Sequence, residues 1–240
     1  FGHATAIGET PSVSEWRHGF DDGQGYRVSL RDIQSASKTD GALFQVNHPT
    51  FFPGPLFGNF CRGCEFQLKD EIDWSRVDTL EVVTGPAAAN TSDLGAPASP
   101  TNGPNPFVAT ALHLWDSLLM QGHKITAVSG SDSKGNEPNA AERVRRGYGS
   151  SATAVYAANL SRPALQAAIR AGHVYIAARG VAGSPRLEMT GAAAGGQTAI
   201  FGDTLNADAA DMTVRVKAGA GQRLRVYRNG RLVATIPVTS

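Results

Sequence analysis

The sequence predicts an α/β protein that ends in a small antiparallel β domain, and three observations carry the prediction. Helical and strand-like patterns alternate up to about residue 183. The strands are short, and long loops follow them. Beyond that point the helical period vanishes and period-two alternation takes over, punctuated by a hairpin signal. Alternation of this kind is most simply part of a barrel of parallel strands, assigned to residues 1–183, with 184–240 forming a small β-sandwich-like domain.

Composition narrows the function. Of 240 residues, 41% are hydrophobic and 18% charged, with a formal net charge of +1. That balance implies no basic face for nucleic acid or anionic lipid. No apolar run approaches the roughly 20 residues that span a bilayer. The expected partner is a small-molecule substrate, so function has to be argued from a site.

Taken in order, Phe1–Gly8 reads as a strand arriving at its end, which predicts further sequence upstream of Phe1. Leu30, Ile33 and Ser37 recur at helical spacing, and Asp40-Gly41 stops that helix. Ala42–Val46 is a buried strand running into Asn47-His48-Pro49, and Val77–Val83 is the next strand. Between them, in a loop rich in Phe, Pro and Gly, stand the only two cysteines, Cys61 and Cys64. Without a second pair or paired histidines they do not make a zinc site; they are a loop disulfide or two free thiols. The disulfide is favoured in an exported, periplasmic or secreted protein.

Asn105-Pro106 opens a helix whose apolar stripe is Phe107, Ala111, Leu112, Trp115, Leu118 and Leu119, and Gly122 closes it. Ile125–Val128 is a strand ending in Ser129-Gly130-Ser131-Asp132. Ala152–Tyr156 follows, then a helix capped by Ser161 and stopped at Gly172. In the last part Met212–Val216 and Leu224–Tyr227 alternate, and Asn229-Gly230 is a two-residue hairpin turn before Leu232–Ile236.

Side chains at the C-terminal ends of parallel barrel strands and in the loops after them face the active site. His3, His48 and Asp132 occupy such ends, and their imidazole nitrogens and carboxylate oxygens suit zinc, manganese or iron. Glu81 also ends a strand; its carboxylate would join the site, orient a ligand or pair with an arginine. His18 lies in a loop near the presumed site and is a substrate-facing candidate. His113 and His123 read as surface or capping residues, and His173 as a cation suited to a helix C-terminus. Arg143, Arg145 and Arg146 read as a solvated cluster rather than a phosphate clamp.

Ala42–Pro49 resembles the strand-then-His-Pro motif of hydrolases of the polymerase-and-histidinol-phosphatase (PHP) type, and Ile125–Asp132 their late Gly-Ser-Asp-x-His motif. Gly2-His3 with Ala6-Ile7-Gly8 is similar to the mid-barrel histidine of that family. The run from Thr153 to Tyr175 resembles the CehA/McbA branch, which includes carbaryl hydrolase and carries an appended C-terminal β region. The resemblance implies the C-terminal portion of a distorted (β/α)7 barrel holding two or three divalent ions. It implies hydrolysis of phosphoester, carboxylester or carbamate bonds by a metal-activated water, with His3, His48 and Asp132 as ligands and Asp132 and Lys134 in the catalytic set.

Two departures qualify that reading. The family's opening His-x-His motif and its early acidic and histidine ligands have no match in the sequence, so an upstream half or a partner chain is expected to complete the site. Lys134 stands where the family places a histidine. A carboxylated Lys134 would replace the ligand, its ammonium would bind an anionic substrate, or it is a solvated lysine beside a degenerate site. The alternative function is accordingly a catalytically degenerate PHP-type barrel with a binding or structural role. A sugar platform on the β domain is disfavoured, since Phe201 and Tyr227 are nearly its only aromatics.

Overall fold

In the computed structural model of the chain, residues 3–8, 29–49, 72–85, 106–133, 140 and 147–239 are described. Cys61, Cys64, Asn105, Arg143, Arg145 and Arg146 lie outside them.

The chain is a mixed α/β protein with several sheets, and none of them closes into a barrel among the described residues. The main sheet has four strands in the order β1 (His3–Ile7), β2 (Leu43–Asn47), β3 (Thr79–Thr84) and β4 (Thr126–Gly130). β2, β3 and β4 are parallel, in the registers Val46↔Leu80 and Leu80↔Ala127. β1 departs from the all-parallel expectation: it pairs antiparallel with β2, setting His3 against Asn47 and Ile7 against Leu43.

Alternation along the strands sorts two faces. Phe44, Val46, Leu80, Val82 and Ile125 form one apolar core with Ile33 of α1 (Leu30–Thr39) and with Ala111 and Leu118 of α2 (Pro106–Met120). Burial of such side chains contributes about 1.5–3 kcal/mol each for the larger ones. Trp115 of α2 is fixed by its indole N–H, which donates to the Ile125 carbonyl at 2.8 Å. Leu112 and Leu119, expected in the buried stripe, are 40% and 38% exposed, because they border an open cleft instead of the sheet.

α1 starts where its sequence says it should. Ser29 and Asp32 form a reciprocal capping box, with Asp32 N–H donating to Ser29 Oγ at 3.1 Å and Ser29 N–H to Asp32 Oδ2 at 3.0 Å. Its buried Gln34 exchanges two bonds with the Asp73 backbone, at 2.9 and 3.0 Å. That pins the helix to the 3-10 turn Trp74–Arg76 that leads into β3.

Beyond β4 come β5 (Ala152–Val155), α3 (Arg162–Ala171) and β6 (Val174–Ala177), with β5 and β6 paired antiparallel. β5 attaches to β4 through side chains: Ser129 N–H donates to Thr153 Oγ1 at 2.9 Å and Ser151 Oγ to the Gly130 carbonyl at 3.0 Å. α3 covers the sheet end at which β2, β3 and β4 begin. Gln166 donates to the Ile7 carbonyl at 2.9 Å, Thr126 Oγ1 to the Ile169 carbonyl at 2.7 Å, and Arg170 pairs with Asp78 at 3.2 Å. The opposite end, where β2, β3 and β4 finish, carries His3 and His48.

The last part is antiparallel. The one-turn helix α4 (Gly180–Gly183) leads to β7 (Arg186–Ala193), β8 (Thr198–Ile200) and β9 (Ala210–Lys217), ordered β8-β7-β9, and then to the hairpin β10 (Arg223–Arg228) and β11 (Arg231–Pro237). Asn229 and Gly230 at its turn have φ of 50° and 70°, the pair of positive values a two-residue hairpin requires. This part is stitched to the rest. Tyr156 OH donates to the Leu187 carbonyl, and Phe201 packs on Tyr156 and Tyr175 at centroid distances of 6.0 and 6.3 Å. Gly172, the left-handed C-cap of α3, meets Gly202 so closely that a Cβ on Gly202 would lie 2.4 Å from the Ala171 carbonyl. No helix among the described residues is long and apolar enough to cross a membrane.

Candidate metal centre

His48 is the first residue past β2. It is buried, and its backbone takes φ +32° although Pro49 follows. A residue ahead of proline is driven toward extended conformations, so this left-handed turn needs support from its surroundings. Glu81 on β3 supplies it: the His48 N–H donates to Glu81 Oε2 at 3.1 Å, with both residues buried. The other carboxylate oxygen, Oε1, lies over Gly130, where a Cβ would come within 2.5 Å of it. Glu81 therefore spans from the end of β2 to the end of β4, beneath the sheet edge. A buried carboxylate is tolerated only when held by donors, and the His48 amide is one of them.

The turn aims the His48 ring at His3. His3 Nδ1 and His48 Nε2 are 3.2 Å apart, and the rings meet edge to face at 82°. His3 does not follow a strand as the sequence had implied; it opens β1. Because β1 runs antiparallel to β2, its first residue nevertheless falls on the edge where β2 ends.

Asp132 lies two residues beyond β4 on the same edge, and it too has a left-handed backbone, φ +47°. Ser131 Oγ accepts from Ser133 N–H at 3.4 Å, a serine turn with Asp132 at its apex. The two parallel strands flanking β3 thus each leave the sheet through a ligand-type residue held at positive φ. Their backbones are two strand spacings apart, about 10 Å. Among the described residues, His3 and His48 form a pair that no third His, Cys, Asp or Glu joins into one metal-sized group. His18 and Lys134 lie outside the described residues.

Comparison with protein-family models, with curated proteins and with solved structures gave no match.

Sequence reasoning passed over the polar row beneath the pair. Thr79 Oγ1 donates to Gln45 Oε1 at 3.3 Å, Gln45 Nε2 to Asn47 Oδ1 at 2.8 Å, and Asn47 Nδ2 to Thr5 Oγ1 at 2.8 Å. The signal was in β2, where Gln45 and Asn47 alternate with the core residues Phe44 and Val46. A strand that alternates like this packs one face on the apolar core and leaves the second to polar side chains. His113 and His123 are not part of the edge: His113 is exposed on α2 and His123 follows its end. His173 Nε2 pairs instead with Asp203 Oδ1 at 2.7 Å, a link between α3 and the antiparallel part.

A cleft of about 460 Å³ lies away from the histidine pair, between α2, β4, β6 and Phe201. Trp115, Leu119, Ile176 and Met189 line it, and Lys124 is its only charged lining residue. No His, Cys, Asp or Glu lines it.

Proposed function

We propose that the chain belongs to a metal-dependent hydrolase of the PHP type, acting on ester-type bonds of a small substrate: phosphoester, carboxylester or carbamate. The observation that carries this reading is the 3.2 Å separation of His3 Nδ1 and His48 Nε2. Two imidazole nitrogens bound to one zinc-sized ion at about 2.0–2.1 Å, at near-tetrahedral angles, stand about that far apart. The pair fits as two neighbouring ligands of one ion.

In this reading His3, His48 and Asp132 hold the ions, and zinc, manganese or iron suits the donor set. Ions held there would supply an acidified water and positive charge beside the attacked centre. Glu81 holds the His48 backbone in place, Asp132 and Lys134 complete the catalytic set, and His18 and Lys134 stand on the substrate side. The parallel strands β2, β3 and β4 are, in the same proposal, part of a (β/α)7 barrel. Further strands, from an upstream half of the same protein or a partner chain, complete both the barrel and the ligand set.

The second reading is a degenerate barrel that binds without catalysing. It is favoured by the fact that the described residues bring together a pair of ligands and not a set. Bound-metal analysis together with hydrolysis of p-nitrophenyl phosphate, p-nitrophenyl acetate and a naphthyl carbamate separates the two. Asp132→Ala should abolish hydrolysis and lower bound metal with the fold kept. Full activity and metal content in Asp132→Ala would sink the assignment.

A further inference from the structure

The net charge of +1 averages two unlike parts of the chain. Between Met212 and Ser240 there is no Asp or Glu, whereas Arg215, Lys217, Arg223, Arg225, Arg228 and Arg231 all fall there. The rest of the chain is therefore net acidic. On β9, Lys217 stands 2.9 Å from Glu188. The four arginines of the β10–β11 hairpin enter no ion pair among the described residues.

Strand alternation sorts the hairpin into two faces. Leu224 and Val226 are half-buried, and Leu224 lines a cavity with Leu187 and Val216, so that face looks onto the antiparallel part. Arg223, Arg225 and Tyr227 alternate with them on the outer face and are exposed, Tyr227 by 58%. Tyr227 pairs with Leu232, and the register shift there makes Val233 an extra, bulged residue. Leu232 and Val233 are 52% and 57% exposed. Beside the turn Arg228 stands directly opposite Arg231, and both are exposed. Like charges so placed destabilise a hairpin unless an anion answers them. The turn meets the body at Gly230, where a Cβ would lie 2.5 Å from Asp116 Oδ2 of α2.

We propose that the outer face of this hairpin docks on a bilayer surface containing anionic lipid. Its arginines complement the charge of such a surface, each cation near it adding to the attraction. Arg and Tyr suit the headgroup level, where an apolar stem or ring and a polar end are both accommodated. Leu232 and Val233 decide between kinds of anion. The boundary of the acyl chains takes exposed aliphatic side chains out of water, which the phosphates of a nucleic acid do not. The contact is peripheral, made by one hairpin, and independent of the histidine pair.

Cosedimentation of the full chain with phosphatidylcholine vesicles, with and without phosphatidylglycerol, tests this. The protein should bind the anionic vesicles, more weakly as salt is added, and leave those of phosphatidylcholine alone. Arg223→Ala combined with Arg225→Ala should weaken binding about twentyfold or more, at about fivefold per cation. The same two positions changed to Lys should bind like the wild type. Leu232→Ala with Val233→Ala should weaken binding about tenfold at unchanged charge. Lys38→Ala, which removes a cation from α1, should change nothing. Equal binding to both kinds of vesicle, no binding to either, or a Lys variant as weak as the Ala variant would overturn the proposal. So would tighter binding to a single-stranded oligonucleotide that Leu232→Ala with Val233→Ala leaves unaffected, which would make the partner a nucleic acid.

Discussion

The backbone N–H of His48 donates to the carboxylate of Glu81 at 3.1 Å, and this bond ties the first residue past β2 to the middle of β3. It holds His48 at φ +32° immediately before a proline, where an unsupported backbone would relax toward an extended form. Both partners are buried, so the bond cannot be replaced by water without rearrangement.

Glu81→Ala should therefore destabilise the protein by about 2–3 kcal/mol, the cost of leaving a buried donor unsatisfied plus a small cavity. Glu81→Gln keeps an acceptor oxygen and should cost less. Urea denaturation measures both. Equal stability of Glu81→Ala and wild type would remove Glu81 from its supporting role.

Gly130 should tolerate no side chain while Glu81 is present. An alanine methyl would lie 2.5 Å from Glu81 Oε1, an overlap that costs about 1–3 kcal/mol in a packed interior. The penalty should shrink when Gly130→Ala is combined with Glu81→Ala, because the obstructing atom is gone. A double-mutant cycle reads that coupling, and strict additivity would show that the two residues do not touch.

Gly202→Ala should be worse than either. Its φ is +81°, and the new methyl would meet the backbone of Ala171 and Gly172 at 2.4–2.5 Å. Backbone cannot swing aside as a side chain does, so a loss of about 3 kcal/mol or more is expected. Limited proteolysis should then cut between α3 and β7 first, the junction this contact closes. Unchanged thermal stability in Gly202→Ala would contradict the close approach.

The His173–Asp203 pair gives a pH dependence. The hydrogen bond from His173, and after it the Ile200 N–H, hold the Asp203 carboxyl below the usual carboxylate range. A carboxyl depressed in the folded state stabilises fully above its unfolded value, about 3.9, and that stability is lost as pH falls through the lower folded value. Asp203→Asn should flatten the fall in stability on acidification below about pH 4. It should not abolish it, since Asp73 and Glu188 are depressed in the same direction, through Ser75 and Lys217 respectively. The effect is small because the Asp203 side chain is 37% exposed. Identical slopes for Asp203→Asn and wild type would mean that the pair contributes nothing.

Local chemistry made much of the fold legible. Ser161 and Gly172 bound a helix, Asn229-Gly230 makes a hairpin, and β2, β3 and β4 stand where apolar runs place them. What stayed hidden was set by pairing between distant segments. Nothing within Phe1–Gly8 states that β1 runs antiparallel to its neighbour, so His3 was read at the wrong end of its strand yet falls on the right edge. Ala152–Tyr156 carries no sign that it pairs with Val174–Ala177. β7 was missed because Arg186–Thr190 alternates but then runs into Gly191-Ala192-Ala193, which looks like a loop. At the site, His48 and Asp132 were visible as strand-end residues, whereas their left-handed backbones and the amide bond to Glu81 depend on tertiary contacts.

The most direct measurement of the central claim is zinc binding by equilibrium dialysis, on wild type and on His3→Ala and His48→Ala singly. The account predicts at least one tightly bound zinc per chain in the wild type. Each variant should bind it more weakly by about tenfold or more, with a far-ultraviolet circular dichroism spectrum like that of the wild type. Zinc affinity unchanged in both variants would contradict the assignment of this histidine pair as a metal centre.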